Sequence, residues 1–318
     1  MGRSGCHVLE CFAKICGVVT GFSVDWLTLR ETADGRARHA GLNRQAISLL
    51  KNRDHELTIV DLGTGRGSNV RYLAPILGGI QFWQLVDADE GLLRSAIIAI
   101  GEWAQKQGWS VNQDSKRIAI DAPKGRWTVT TELADLDQNL DHLRLDDADL
   151  VTASAFLDLV SESWVDRFAA RVASSHPLCL FTLSYNGDLV FDPTDADDGW
   201  VSSLLNQHQE TNKGFGAALG PAAIMYVREA MEKRGYVVVT GESPWQLESR
   251  AHAGDADLQR VLLNDWVTSL IEWQPRHGLR LQSWLNRRIT LLESGFVALR
   301  IGHEDLLCWM DGDTGFSH

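Results

Sequence analysis

The feature that most constrains how this chain folds is a glycine-rich block that joins an apolar run to an amphipathic segment. Residues 60–67 read VDLGTGRG, and they continue an apolar run that begins at Leu57. Residues 69–77 then carry apolar side chains at helical spacing. Glycine adopts left-handed backbone conformations without strain and lets a ligand approach the main chain closely. The block therefore predicts a strand, a turn and a helix, with a ligand site at the turn.

The same alternation of apolar runs and amphipathic segments continues along the chain. Strands are predicted at residues 57–62, 80–86, 127–133, 150–153, 178–185, 236–240, 296–301 and 305–309. Helices are predicted at residues 69–77, 91–107, 163–173, 196–210, 221–234, 255–273 and 279–293. This order predicts an α/β fold in which helices cover both faces of a mostly parallel, doubly wound sheet.

Four segments outside this alternation define the predicted domain organisation. Residues 1–22 show no clean periodicity and are predicted to be an N-terminal extension, for which disorder is one interpretation. Residues 23–54 are predicted to form a helical cover of two helices that join near residues 32–35. Within the main domain, 55–318, residues 186–220 are too long for a connection and are interpreted as a lid or substrate loop. Residues 250–294 are predicted to be a helical insertion that forms a substrate cap or a dimer surface.

Composition excludes several classes of function. The chain has 30 Lys and Arg against 42 Asp and Glu, a net charge of −12, which argues against a general nucleic-acid binder. Its longest apolar stretches run about eight residues, well short of the roughly 20 that a membrane-spanning helix needs. Cys179 and Cys308 lie in apolar runs, where a thiol behaves as a small hydrophobe. Cys6, Cys11 and Cys16 match no common zinc spacing, so we expect no metal site. Glu10 and Lys14 interrupt what would be the apolar core of a signal peptide, so we expect a reducing, cytoplasmic compartment.

Acidic residues follow the ends of successive predicted strands. Asp61 precedes the first glycine of the block, and Asp87 ends the second strand, where a carboxylate can accept both hydroxyls of a ribose. The glycines alternate at positions 63, 65 and 67, which does not match the GxGxxG pattern of dinucleotide-binding proteins. A protein that binds a diphosphate is therefore disfavoured.

In this order the motifs resemble those of the class I S-adenosylmethionine-dependent methyltransferases. The first motif of that family reads acid-x-Gly-x-Gly-x-Gly, and the similarity extends over about residues 55–185 of this chain. Asp87 matches the second motif, residues 134–136 the third, and residues 149–160 the fourth. The resemblance implies a mostly parallel, seven-stranded Rossmann-like sheet, with S-adenosyl-L-methionine as cofactor and S-adenosyl-L-homocysteine as its product.

The resemblance also implies which residues would contact the cofactor. The methionine part would lie against the loop, the ribose at the second strand, adenine beyond the third, and the sulfonium beside the fourth. Arg30 would meet the cofactor carboxylate, unless it forms an ion pair with Glu31 or Asp34. The cofactor-binding set is Arg30, Asp61, Gly63, Thr64, Gly65, Asp87, Ala88, Asp135, Leu136, Ala153 and Ser154. Asp89 is the alternative to Asp87, and a helix cap is the alternative role for Asp135.

Residues that would face the methyl acceptor lie after the fourth and fifth strands. His208 and Asp158 are the candidate catalytic bases, and a required neutral His208 would make activity rise through about pH 6.5. Tyr185, Lys213 and Phe215 are the candidate substrate contacts. Simpler roles are a cap or surface position for His208, a cap or ion pair for Asp158, and an exposed loop position for Lys213.

These patterns predict in-line transfer of a methyl group to a small molecule, at oxygen or nitrogen. One alternative is a protein that binds the cofactor or its product without consuming it. Another is a nicotinamide-dependent oxidoreductase, which needs a diphosphate-compatible loop that the sequence lacks. No Asn-Pro-Pro-Tyr motif of the kind found in some protein and RNA methyltransferases follows the fourth strand. We expect no nucleic-acid or membrane partner, and a monomer or homodimer.

Overall fold

A computed structural model describes residues 23–51, 55–295 and 297–310 of the chain. The predicted N-terminal extension, with Cys6, Cys11 and Cys16, lies outside the described residues. The α-helices are α1 (Val24–Ala37), α2 (Ala40–Leu50), α3 (Ser68–Leu77), α4 (Glu90–Lys106), α5 (Glu162–Val172), α6 (Asp198–Gln209), α7 (Ala223–Glu232), α8 (Asp255–Trp273) and α9 (Gly278–Ser294). Of the helices within these ranges, none has the length and apolar character needed to cross a membrane.

The strands form one twisted sheet in the order β3-β4-β5-β2-β1-β6-β7-β10-β8, and β9 also pairs with β10. Their bounds are β1 (Leu57–Leu62), β2 (Gly79–Asp87), β3 (Ser110–Gln113), β4 (Arg117–Ala122), β5 (Gly125–Leu133), β6 (Leu150–Ser154), β7 (Leu178–Asp192), β8 (Tyr236–Glu242), β9 (Trp245–Glu248) and β10 (Ala298–Met310).

The predicted fold class is confirmed. Strands β5, β2, β1, β6, β7, β10 and β8 form a seven-stranded core in which only β10 runs antiparallel to its neighbours. Strand order reverses between β1 and β6, so the carboxyl ends of β1, β2 and β6 open onto a switch point of the kind where α/β proteins bind ligands. The glycine block lies at this point.

The central strands β1 and β6 are buried on both faces, and this explains why they are continuous apolar runs in the sequence. Along β1, Ile59 packs into one core cluster and Val60 into another. The cluster around Val60 includes residues of α5 and α7, whereas the cluster around Ile59 includes residues of α2, α3 and α4. A third cluster joins α1, α6, α8 and α9 to β9 and to the distal part of β7.

Several predicted boundaries are wrong, each for a local reason. The hairpin of β3 and β4 was not predicted, because β3 is short and mostly exposed polar residues. Helices α1 and α2 join at Arg38–His39 rather than at residues 32–35, since Asp34 is buried inside α1 instead of capping a helix. The two predicted C-terminal strands are one strand, β10, with irregular register between Ile301 and Leu306. Strand β7 continues to Asp192, so the start of the predicted lid is a strand paired with β10.

Helix α9 is tied to the segment before α6 by a cluster of ion pairs that we call the aspartate clasp. Arg287 pairs with Asp195 at 2.6 Å and also with Asp197, which Arg280 contacts as well. Arg288, whose side chain is 1% exposed, pairs with Asp198. The predicted helical insertion is thereby fixed to the beginning of the predicted lid.

Candidate functional site

The glycine block forms a tight loop in which all three glycines have left-handed backbone conformations. The φ angles are +61° at Gly63, +54° at Gly65 and +70° at Gly67. A Cβ atom at Gly63 would lie 2.9 Å from the ring of Phe156, and one at Gly65 would lie 3.2 Å from Leu27. Both the backbone angles and the close neighbours therefore require glycine in this loop.

Asp61 holds the loop to helix α3. Thr64 Oγ1 donates a hydrogen bond to Asp61 Oδ2 at 2.5 Å, and Asn69 Nδ2 donates to Asp61 Oδ1 at 2.8 Å. Burial raises the pKa of Asp61 to about 6, although these hydrogen bonds and the Arg38 guanidinium oppose the rise. The structure thus gives Asp61 and Thr64 a role inside the loop. The contact of Asp61 with the methionine part of a cofactor stays a prediction.

Arg38, at the end of α1, connects the helical cover to the loop. Its Nη1 donates to Asn69 Oδ1 at 2.6 Å, and its Nη2 donates to Ser154 Oγ at 3.3 Å, at the end of β6. The guanidinium also lies 4.5 Å from the centre of the Tyr72 ring. Arg38 and Asn69 therefore join α1, α3 and β6 around Asp61.

Asp87 lies beside the loop, as the ribose assignment requires. Its Oδ2 accepts a hydrogen bond from Gly65 N at 2.8 Å, and its Oδ1 accepts one from Asp89 N at 3.0 Å. Burial raises the pKa of Asp87. Each carboxylate oxygen has a second lone pair, so the group can still accept from ribose hydroxyls beside the exposed Ala88.

The alternative assignment of the ribose to Asp89 is disfavoured, because this side chain caps α4. Asp89 Oδ1 accepts from Gly91 N at 2.7 Å and from Leu92 N at 3.1 Å. Two donors at one oxygen of an N-cap are the usual arrangement for a helix start.

The residues predicted to contact adenine follow β5, next to Asp87. Ala134 N donates to Asp87 O at 3.0 Å, which fixes the two strand ends side by side. Asp135 is exposed, and its Oδ1 accepts from Asp137 N at 2.9 Å in a turn, so it does not cap an α-helix. Leu136 is buried in the core, and its carbonyl accepts a hydrogen bond from Trp164 Nε1 at 3.0 Å. Of Asp135 and Leu136, only Asp135 has a side chain that a ligand could contact.

On the acceptor side, Asp158 is a buried carboxyl group just beyond β6. Its Oδ1 has no hydrogen-bond partner among the described residues. Burial raises the pKa of Asp158 to about 6, while the backbone N–H of Tyr185 and the positive charges of Arg30 and Lys213 oppose the rise. The simpler interpretation, that Asp158 caps a helix, is wrong because Ser161 caps α5. Ala153 and Ser154 line the end of β6 that leads to it.

His208 and Lys213 are two other residues predicted to face the methyl acceptor, and their roles there stay predictions. His208 is 5% exposed, and its ring packs edge-on against Trp273 with centroids 5.5 Å apart. Burial, with a contribution from Lys213, lowers the pKa of His208 to about 4. The surface interpretation of His208 is therefore wrong, and so is the expectation that it titrates near pH 6.5. Lys213 is half-buried, and its charge reaches both Asp158 and His208.

The other predicted substrate contacts have defined packing partners. Tyr185 donates a hydrogen bond to Asn206 Oδ1 on α6 at 2.7 Å, and burial raises the pKa of its phenol. Phe215 packs edge-on against Phe156, with ring centroids 5.6 Å apart. Because Phe156 lies against Gly63, Phe215 forms the outer layer of the wall beside the glycine loop.

Arg30 forms the ion pair that was the alternative to cofactor binding. Its Nε lies 2.9 Å from Asp34 Oδ2, and its Nη2 lies 3.1 Å from Asp34 Oδ1. The guanidinium also stacks over Trp245 at 5.0 Å, while Trp245 Nε1 donates to Asp34. The contact of Arg30 with a cofactor carboxylate stays a prediction.

Sequence reasoning missed two buried residues of the acceptor side, His303 and Trp245. Position 303 falls between the two strands that were predicted separately, so it was assigned to a connection. Trp245 lies in β9, a short strand that the sequence did not predict. The ring centroids of His303 and Trp245 are 5.2 Å apart, and that of His303 is 6.2 Å from Tyr185. Among the residues that the structure describes, no group of three or more His, Cys, Asp or Glu side chains is arranged to hold a metal.

The solved structures that resemble this chain include several methyltransferases. A cyclopropane synthase from Mycobacterium tuberculosis has 14% identity and a TM-score of 0.46, with 90% of this chain and 94% of that chain covered. A putative sarcosine dimethylglycine methyltransferase from Galdieria sulphuraria has 14% identity and a TM-score of 0.40, with coverage of 90% and 97%. A methyltransferase from Geobacter sulfurreducens, in complex with S-adenosyl-L-homocysteine, has 10% identity and a TM-score of 0.41, with coverage of 92% and 100%.

No protein-family model matches the sequence, and no curated protein matches it. The function therefore has to be inferred from the residues of the site.

Proposed function

We propose that this chain is an S-adenosyl-L-methionine-dependent methyltransferase that acts on a small molecule. The observation that carries the proposal is the pairing of the glycine loop with Asp87. Three left-handed glycines form a tight loop at the switch point, where Gly63 is partly exposed, and Gly65 N holds the Asp87 carboxylate beside them. A cofactor that has a ribose and an amino-acid tail, but no diphosphate, suits this arrangement.

The residues present fit such a cofactor. The loop at Gly63 and Gly65 would support the methionine part, Asp87 would accept the ribose hydroxyls, and Asp135 would face the adenine amine. When bound, the cofactor supplies a methyl group on a positively charged sulfur, which is activated for displacement. The chain has to hold the acceptor in line with that methyl group and exclude water. The buried wall of Ala153 and Phe156 supports the second task.

Asp158 is the group we propose as general base. Its Oδ1 is buried and has no hydrogen-bond partner in the part of the chain that the structure describes, and its pKa of about 6 leaves it mostly ionised at neutral pH, able to accept a proton. His208 would be neutral over the same range and is buried against Trp273. A base of this kind suits an acceptor that must lose a proton, which favours oxygen or nitrogen methylation.

Calorimetry and product labelling test the proposal. We expect S-adenosyl-L-methionine and S-adenosyl-L-homocysteine to bind, and NADH to give no heat. Incubation of the protein with tritiated S-adenosyl-L-methionine and a metabolite extract should label a small molecule, which mass spectrometry then identifies. Binding without any labelled product would favour the non-catalytic alternative. Binding of NADH with no response to either methionine derivative would reject the proposal.

The two buried cysteines support the expectation of a reducing, cytoplasmic compartment. Cys179 and Cys308 are directly opposite each other in β7 and β10, and both are free thiols. Neighbouring free thiols are typical of proteins that stay in a reducing environment. The choice between monomer and homodimer stays a prediction, and the described surface supports neither over the other.

A further inference from the structure

Three ring-bearing side chains form a row beneath helix α1, which we call the ring row: Tyr185 on β7, His303 on β10 and Trp245 on β9. Tyr185 and His303 are direct partners in the antiparallel ladder, so their side chains share one face of the sheet. Trp245 is the ladder partner of Ile301, two residues before His303. The ring row therefore crosses three strands on the face that α1 covers through Arg30.

Two polar atoms beside the ring row are buried without a hydrogen-bond partner among the described residues. They are Nδ1 of His303 and Oδ1 of Asp158. The residues are 7% and 9% exposed. The backbone N–H of Tyr185, the ladder partner of His303, is close enough to the Asp158 carboxyl group to favour its ionised form, which places that group at this end of the ring row. Buried polar atoms are rarely left unpaired, because an unsatisfied donor or acceptor that has lost its water destabilises the folded protein.

The charged groups around the two atoms favour a neutral His303 and an ionised Asp158. Arg30 lies close enough to lower the pKa of His303, which burial already lowers to about 3, so the imidazole is neutral. The same Arg30 and Lys213 favour the ionised form of Asp158. The site thus offers one neutral imidazole nitrogen and one carboxylate oxygen.

We propose that His303 is a further acceptor-contacting residue, and that its Nδ1 and Asp158 Oδ1 bracket the protic group that receives the methyl. This inference rests on the proposed function. A hydroxyl or an amine satisfies both atoms, because it can hydrogen-bond to the carboxylate and to the imidazole at once. A thioether or an alkene would leave both atoms unpaired. The structure therefore favours an alcohol or amine acceptor.

The reaction balances with these groups. The lone pair of the acceptor oxygen or nitrogen forms a bond to the methyl carbon, while the bond between that carbon and sulfur breaks. The electron pair of the broken bond stays on sulfur, which becomes a neutral thioether. The acceptor proton moves to Asp158 Oδ1. His303 keeps its proton and orients the acceptor.

The test uses sinefungin, an analogue of S-adenosyl-L-homocysteine that carries a primary amine in place of the methylated sulfur. This amine takes the place of the transferable methyl group, so it would face the position between Asp158 and His303 that the acceptor occupies. Calorimetry on the full-length protein at pH 7.5 compares sinefungin with S-adenosyl-L-homocysteine. We expect the wild-type protein to bind sinefungin more tightly than S-adenosyl-L-homocysteine. His303→Phe should reduce the ratio of these two affinities at least about fivefold without changing the affinity for S-adenosyl-L-homocysteine.

Matched variants separate this contact from a loss of folding. His303→Asn keeps an amide near the Nδ1 position and should retain part of the preference, whereas Asp158→Asn should lose it. The exposed His252 provides a control, and His252→Phe should behave as wild type. If His303→Phe does not fold, the Asn variants decide the question.

An unchanged preference in the folded His303 variants, or no preference in the wild type, overturns the inference while the proposed function stands. Failure of the wild type to bind either compound rejects the proposed function, and this inference with it.

Discussion

The aspartate clasp allows one quantitative prediction about stability. Arg288 donates from Nε to Asp198 Oδ1 at 3.0 Å and from Nη1 to Pro193 O at 2.6 Å, and its guanidinium lies 4.4 Å from the centre of the Phe191 ring. Asp198 Oδ1 also accepts from Trp284 Nε1 at 2.9 Å. Replacing Asp198 by Asn removes the negative charge and leaves a buried arginine without its counter-ion.

Breaking a buried pair in this way costs about 3–5 kcal/mol. Because Arg288 keeps the Pro193 carbonyl and the Phe191 ring, we expect Asp198→Asn to lower the free energy of unfolding by about 3 kcal/mol. Asp147→Asn is the matched control, since the side chains of Arg144 and Asp147 are 78% and 63% exposed. Asp147→Asn should lower the free energy of unfolding by about 0–1 kcal/mol.

Urea unfolding followed by tryptophan fluorescence measures both effects. The double variant Arg288→Met/Asp198→Asn should be more stable than the sum of the single changes implies, because no buried charge is left alone. If Asp198→Asn lowers the free energy of unfolding no more than Asp147→Asn does, the clasp contributes no more to stability than a surface ion pair. The argument from burial would then be wrong.

Further predictions concern the cofactor and the base. Asp87→Ala should weaken binding of S-adenosyl-L-homocysteine at least about tenfold in calorimetry, whereas Asp89→Ala should lower the melting temperature with little change in affinity. Gly65→Ala places a side chain at φ +54°, so we expect a lower melting temperature and weaker cofactor binding. With a protic acceptor in hand, kcat should rise with pH through about 6, as Asp158 ionises, and then stay flat. Substituting His208 by Gln should leave that midpoint in place; a shift of the midpoint would restore His208 as the base.

Sequence patterns were sufficient to predict the central sheet and the loop, because both depend on features that each short segment carries by itself. Strand β1 is buried on both faces and reads as an apolar run, and the glycines of the block have to be glycines for their backbone angles. Asp87 was found for a related reason. A carboxylate at the end of the second strand lies beside the loop in any sheet of this topology.

The acceptor side was harder to predict, because it is assembled by pairing between distant segments. His303 lies in a polar stretch of β10, where Gly302 and Glu304 interrupt the apolar pattern that identified the rest of the strand. Its neighbours Tyr185 and Trp245 come from two other strands, and nothing in the spacing of these residues indicates that they meet. The burial of His208 could not be predicted from the sequence either, because it depends on packing against Trp273 of α8.

The position of β10 in the sheet also restricts the order in which the protein can fold. Strand β10 lies between β7 and β8, yet it is made after both of them and after α8 and α9. Cys179 and Cys308 are neighbours in the ladder although most of the second half of the chain separates them. During synthesis, neither the open edge of β7 nor β8 can pair with β10 until residues 298–310 have been made. Such non-local pairing slows folding and leaves apolar strand edges exposed meanwhile. The nascent chain therefore passes through a stage in which the residues of β1, β2 and β6 have all been made but His303 and the rest of β10 have not.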